Sequence, residues 1–539
     1  MLGSLTAAIG LFFLPLIELK PNRIASGIPF QLLELQGDMR YLVLFLLSLA
    51  PIAVALRSPD RSRGWLLAGL GNALLVLTLY LPASAGQRLI DDAGTLLVES
   101  LRVSNPRILP SAALALGLAG GYVVLFAGLR DLERAGVGRA PRLSAAWGGA
   151  VLLAVMLVAG TFDVYSVVVE FHARGAQLGQ RFIEHVMFVG VSLTVGLVLG
   201  VGLGLWAHRD QGVSPAVLYT VGIIQTVPSL ALFGVLLVPL ARLGDQRLTA
   251  VALVFAVTLA VAAGLFFLFR RLAGRFTAGA RQVLLMMVAT VSAVPLALLV
   301  VVTASFLFRV AMVAFTSDAG PFPRLRVALL ATLLVAMAAL LVGRRLRPGW
   351  TLRVVRYASY AAGTAFTAAL AYALVRASQL FLVRVTDVAS VTLRELGVSG
   401  IGTAPAVIAL TLYSLLPLVR NTFAGLNNVD PAIIDAGRGM GMNAGQRFVQ
   451  LELPIALPVI MAGVRNAAVA LVGIGAIATV IGAGGLGDFI LGGIVNTSID
   501  QILLGAVPAV LLATVFDTVL QGLERLLVSP GIRQLEGAS

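Results

Sequence analysis

The chain has 539 residues, 59% hydrophobic and 12% charged, with a mean hydropathy of +0.97. Soluble domains carry roughly 25% charged residues, so this composition excludes a water-soluble globule and a disordered chain and selects a polytopic membrane protein. The absence of Cys excludes disulfide scaffolds, thiol catalysis and Cys-held zinc or iron–sulfur centres. With His172, His185 and His208 as the only histidines, no metal and no cofactor is expected.

The net charge of +14 lies in short basic clusters between apolar runs. That is the pattern of loops retained on the cytoplasmic side, and no basic face with interleaved aromatics suggests nucleic acid. Lys20 is the sole lysine and no glycines immediately precede it, so the chain carries no P-loop. Any ATP that drives it must be bound by another subunit. No catalytic residues are expected.

Runs of apolar residues predict about fourteen spans in an all-α polytopic fold. In chain order they are Leu5–Leu19, Tyr41–Ala55, Trp65–Leu81, Ile108–Leu129, Ala146–Val167, Met187–Ala207 and Ala216–Leu240. Leu248–Phe269, Leu284–Phe306, Val327–Val342, Val354–Val375, Ala404–Val419, Leu457–Ile481 and Ile502–Leu523 follow. Between them, Gln87–Arg107 and Glu170–His185 mix apolar and charged residues and read as amphipathic helices on the outer surface. Clusters around Arg57–Arg63, Arg130–Arg142, Arg270–Arg281 and Arg344–Arg353 face the cytoplasm under the positive-inside rule, which puts both termini there. No cleavable signal is expected, because the first run lacks a basic flank.

Gly196, Gly200 and Gly204 form a small-residue ladder suited to helix packing. Gln225, Thr226, Pro228 and Ser229 interrupt the seventh span. Proline removes a backbone donor, and the freed carbonyl needs a partner. The site is either a packed kink or a kink beside a water-lined pathway, and Tyr413 and Ser414 are similar candidates. Gly482–Gly487 matches G-x-G-x-x-G but follows a long apolar run, so a tight outer turn is expected instead of a dinucleotide site.

The most informative polar segment begins at Leu418 and runs LVRNTFAGLNNVDPAIIDAGRGMGMNAGQRFVQLELPIALP. Asp430 can cap a helix that Pro431 opens, and Gly439 and Gly441 can close it. Asn443 can cap a second short helix through Arg447, Phe448 and Val449, and Pro454 re-enters the membrane. Composition alone also admits a plain connecting loop. Deeper in the membrane, Arg465 and Asp517 lie roughly 9–12 Å from the cytoplasmic boundary on consecutive spans. Pairing is the less costly arrangement for two charges there, although snorkelling of Arg465 with Asp517 facing water is the alternative.

The spacing of Asp435-Ala436-Gly437, Arg438, Gly441 and Leu451-Glu452-Leu453-Pro454 resembles the coupling signature of permease subunits of ABC importers. It departs from that signature by Asp for Glu, Gly for Ala and Leu for Ile. IIQTVPSLALFG, ALTLYSLLPLVRN, ELPIALPVIMAGVR and IGAGGLGDFI resemble the osmoprotectant branch, which imports glycine betaine, choline and related compounds. PNRIASG and the early spans are similar to its longer Yeh-type permeases. The resemblance implies a type I importer permease in the inner membrane, working with ABC ATPase subunits, an external binding protein and a second permease copy or paralogue. It also implies a division into 1–185 with extra N-terminal helices, a first core part 186–243, four inserted spans in 244–401, and a second core part 402–539 holding the coupling loop 421–454. An importer of another small solute and an ion-coupled secondary transporter are the alternatives.

Overall fold

The computed structural model describes residues 1–20, 27–31, 39–56, 61–91, 107–210, 212–272, 299–318, 320–343, 350–382 and 390–528. They form two units. One joins Met1–Ala176 to Gly492–Leu504, and the other joins Gln177–Leu491 to Gly505–Ser539.

In the first unit the predicted span Leu5–Leu19 is not one helix. Helix α1 (Leu2–Phe13) stops at Leu14, whose backbone is extended at φ −110°, ψ 153°. The following Pro15 disfavours helical geometry at the residue before it. Strand β1 (Pro15–Lys20) comes next and pairs antiparallel with β2 (Ile28–Gln31) and later with β3 (Arg107–Pro110), giving the order β2-β1-β3. Ile17 sits opposite both Phe30 and Pro110. Pairing on both edges satisfies the β1 backbone groups that an interrupted helix would leave bare.

Helices α2 (Met39–Ala55), α3 (Arg61–Asp91), α4 (Ala112–Arg134) and α5 (Arg139–Val158) follow in this unit. A Cβ at Gly128 would strike the Ala68 backbone, so glycine lets α3 and α4 touch. Asn72 of α3 donates to the Ala145 carbonyl at 2.7 Å and fixes α5 in place. The fifth predicted span is thereby displaced: α5 begins at Arg139 and has ended before Gly160 (φ 76°). Leu11, Ile17, Leu44, Leu74 and Ile108 form the core with Tyr165, whose hydroxyl donates to the Leu79 carbonyl at 2.7 Å. Ser166 donates to Asp500 of the Gly492–Leu504 segment. Of the surface segment predicted at Gln87–Arg107, residues 92–106 lie outside the described residues.

The second predicted surface helix, Glu170–His185, is instead part of α6 (Ser166–Arg209). That helix has 44 residues, about twice what a bilayer crossing requires. The second unit continues with α7 (Ser214–Thr226) and α8 (Ser229–Gly244), which meet at 100°. Next come α9 (Leu248–Leu272), α10 (Leu299–Thr316), α11 (Phe322–Gly343), α12 (Trp350–Leu382) and α13 (Thr403–Asn427). The short α14 (Pro431–Gly439) and α15 (Ala444–Arg447) lead into α16 (Leu453–Ile477), α17 (Gly487–Val495) and α18 (Ile499–Leu527).

Among the described residues nine helices are long and apolar enough to cross a membrane, or ten if α7 and α8 form one bent span. The fourteen expected are therefore not all present as spanning helices. The first is cut short by Pro15, and most of Leu284–Phe306 lies outside the described residues. The glycine ladder packs α6 on α13. A Cβ at Gly200 would fall 2.5 Å from Leu418 Cβ, and one at Gly204 2.6 Å from Thr422 Cβ.

Candidate functional site

The segment between α13 and α16 is built from local hydrogen bonds. Asp430 accepts from the Ala432 amide at 2.8 Å at the start of α14, and Pro431 costs the first turn no bond. The helix closes through Gly441, whose φ of 78° brings the Met442 amide back to the Gly437 carbonyl at 3.1 Å. Gly439 is the last helical residue and is not the left-handed one. Asn443 then caps α15 in a reciprocal box with Gln446, at 2.9 and 3.0 Å. A π-helical turn, Phe448–Glu452, carries the chain into α16, where Pro454 supplies no donor.

The outer face of this elbow is both apolar and charged. Ile433, Met440 and Val449 are 38%, 68% and 59% exposed. Arg438 and Asp435 pair at 2.9 Å in solvent. Its inner side is sealed: a Cβ at Gly437 would sit 2.6 Å from Leu451 Cδ1. Glycine in place of the signature's second Ala thus makes room for Leu451. Leu453 packs on the Leu426–Ala456–Ile460 cluster.

The C-terminal end of α6 grips the same elbow, a feature the sequence did not suggest. His208 Nδ1 lies 2.6 Å from Asn427 Oδ1, and the Arg209 guanidinium stands 5.4 Å from the Phe448 ring centroid. Glu452 is buried and accepts from Arg447 Nε at 3.1 Å. A movement of the elbow is therefore applied to three helices, α6, α13 and α16.

The residues singled out around Pro228 separate into two groups. Val227 is extended, so the helix opens between Thr226 and Ser229, and Tyr413 of α13 donates its hydroxyl to the freed Val227 carbonyl. Thr226 returns its hydroxyl to Ile223 at 2.7 Å, and Gln225 and Pro228 are exposed. Ser414 does not join them. It donates to the Thr411 carbonyl at 2.6 Å and fills the space left by Gly196 of α6.

Arg465 Nε lies 2.9 Å from Asp517 Oδ1, and its Nη1 lies 3.4 Å from Glu524, a second carboxylate that the sequence reading missed. At the far end of α16 the Gly482–Gly487 turn follows a helix and no strand, with positive φ at Gly482, Gly484 and Gly485. Residues of α6 hold it. Glu184 accepts from the Gly485 amide at 3.1 Å, Arg181 bridges Glu184 and Asp488 at 2.7 and 2.9 Å, and the buried His185 donates Nε2–H to Val472 at 3.0 Å. Thr479 donates to Asp488. Among the described residues no three His, Asp or Glu side chains converge as a metal ligand set.

With this geometry in hand, comparison with known proteins is specific. Residues 1–168 match the N-terminal domain of the ABC transporter permease YehY. Residues 272–530 match the binding-protein-dependent transport system inner membrane component family. The chain is 50% identical over 134 residues to the osmoprotectant import permease protein OsmW of Salmonella typhimurium, covering 25% of this chain and 62% of that protein. It is 48% identical over 135 residues to the carnitine transport permease protein OpuCB of Listeria monocytogenes, again 25% and 62% of the two chains. It is 42% identical over 140 residues to the choline transport system permease protein OpuBB of Bacillus subtilis, or 26% and 64%. The chain thus spans somewhat less than two thirds of the length of these relatives.

Proposed function

We propose that this chain, whose residues 272–530 match the binding-protein-dependent transport inner membrane components, is the permease subunit of an ABC importer for osmoprotectants. The elbow carries this reading. It is rigidly capped, apolar at Ile433, Met440 and Val449, and fastened to three helices, as a lever driven by a partner must be. ATPase subunits bind it at Asp435–Gly441. Their closure on ATP shifts α6, α13 and α16 as packed bodies. Permeases of this class are transport subunits, so ATP hydrolysis occurs on the partner.

The substrate class is osmoprotectants such as choline and carnitine, as the names of the similar permeases suggest, with glycine betaine as the sequence resemblance implies. An external binding protein delivers it, and two permease copies, or this chain with a paralogue, form the pathway. The broken helix at Val227–Pro228, with Tyr413 on its open carbonyl, lines that pathway. Both termini face the cytoplasm, and the helices of residues 244–401 are an insertion whose even number leaves the elbow's side unchanged.

The test is uptake of labelled glycine betaine and choline into vesicles holding this chain with an ABC ATPase and a binding protein. ATP-dependent uptake is expected. Uptake driven by an ion gradient without ATP would overturn the reading in favour of a secondary transporter. Within it, Arg465 and Asp517 brace α16 against α18 above the elbow. A charge-swapped double variant should recover part of the uptake that each single reversal loses, whereas merely additive losses would remove the brace.

A further inference from the structure

The α4–α5 hairpin holds a pocket that the transport reading leaves unused. It has a volume of about 380 Å³ and is lined by Arg130, Glu133, Arg139 and Arg142 together with Phe126 and Leu143. Three guanidinium groups face one carboxylate. Glu133 is committed to Arg142 at 2.7 Å, and nearby Asp131 is committed to Arg63 of α3 at 2.6 Å. Arg130 and Arg139 form no ion pair among the described residues. The Nε of Arg142 is buried with no hydrogen-bond partner. No side chain caps the first turn of α5, where Arg139 and Arg142 stand.

We propose that this pocket binds the phosphate headgroup of an anionic phospholipid. The chemistry required is a phosphate with one negative charge, which guanidinium forks recognise. A lipid supplies that phosphate better than a soluble anion because the wall is half apolar. Phe126 and Leu143 are exposed on the helix faces that lead out of the pocket, and Trp147, one turn further along α5, is 63% exposed. The basic cluster stands where two apolar spans end, at headgroup depth, and Trp is favoured at that level. The bound headgroup neutralises the excess arginines and pins the hairpin that Asn72 already clamps to α3.

The experiment uses the full chain with Trp65→Phe, Trp206→Phe and Trp350→Phe, leaving Trp147 as the sole tryptophan, excited selectively over tyrosine. The protein is placed in phosphatidylcholine vesicles containing a minor fraction of brominated phosphatidylglycerol or, separately, of brominated phosphatidylcholine. Quenching of Trp147 should show about a tenfold preference for the anionic lipid, from the combined pull of the excess arginines. Arg139→Gln with Arg142→Gln should abolish the preference, Arg139→Lys should keep most of it, and Glu133→Gln should increase it. Equal quenching by the two brominated lipids, or a preference that survives the double variant, would overturn the proposal. Displacement of the anionic lipid by inorganic phosphate would assign the pocket to a soluble anion and equally refute a lipid site. None of these readouts depends on transport.

Discussion

The two ends of α16 hold their turns by different means. At the elbow the bonds are local: Asp430 reaches Ala432, Gly441 closes onto Gly437, and Asn443 and Gln446 cap each other. At the Gly482–Gly487 turn the anchors come from α6, with Glu184 and Gly485 separated by 301 residues of chain. The elbow thus takes its caps and turn from its own residues, with α6 touching it through His208 and Arg209, and it presents an apolar face outward. The glycine turn is a shape imposed by its neighbours, and it transmits whatever α6 does.

This contrast orders the effects of substitution. The largest is expected at Gly487, where an added Cβ would strike the Ala476 carbonyl oxygen, a backbone atom that cannot rotate aside. Gly487→Ala should cost about 3 kcal/mol, read as a lowered unfolding temperature in detergent. Unfolding at the wild-type temperature would mean that the turn is not tightly packed. Next is Glu184→Ala, which leaves the Gly485 amide unpaired and removes one of the two Arg181 partners. A loss of about 2 kcal/mol is expected, and an unchanged melting curve would show that α6 does not hold the turn. The smallest belongs to the elbow. Asn443→Ala should cost about 1 kcal/mol locally, seen as faster amide exchange at residues 443–447 with the global unfolding temperature unchanged. A global loss of stability there would contradict the local character of the elbow's caps.

The same distinction explains what could be read in the sequence. Asp430, Pro431, Gly441 and Asn443 act on residues two to four positions away, so their roles follow from spacing alone. The grip of His208 and Arg209 on the elbow, and of Glu184 on Gly485, joins segments far apart in the chain and leaves no local signal. The first predicted span failed for a different reason. An apolar run such as Leu5–Leu19 suits either a helix or a buried strand, and the decision rests with Pro15 and with the partners β2 and β3. Pro228 marks an interruption in the sequence, but its consequence, a 100° break with Tyr413 on the open carbonyl, depends on α13. Tyr413 and Ser414 are both candidates in the sequence, but neighbouring residues on a helix point about 100° apart, and Ser414 faces the Gly196 ladder instead.

The central claim, that the elbow couples ATP hydrolysis to uptake, is tested most directly at Gly441. Its φ of 78° suits glycine, and a Cβ there would meet nothing within 4 Å in the chain. Gly441→Asp should therefore cost only about 1 kcal/mol of local stability, while it places a carboxylate on the surface proposed to enter the ATPase. Measured in one set of vesicles with the ATPase and binding protein, the variant should insert at the normal level and lose uptake by at least about tenfold, as the loss of about 1.4 kcal/mol of productive docking requires, with hydrolysis no longer tied to transport. Uptake at the wild-type rate and normal expression would contradict the account.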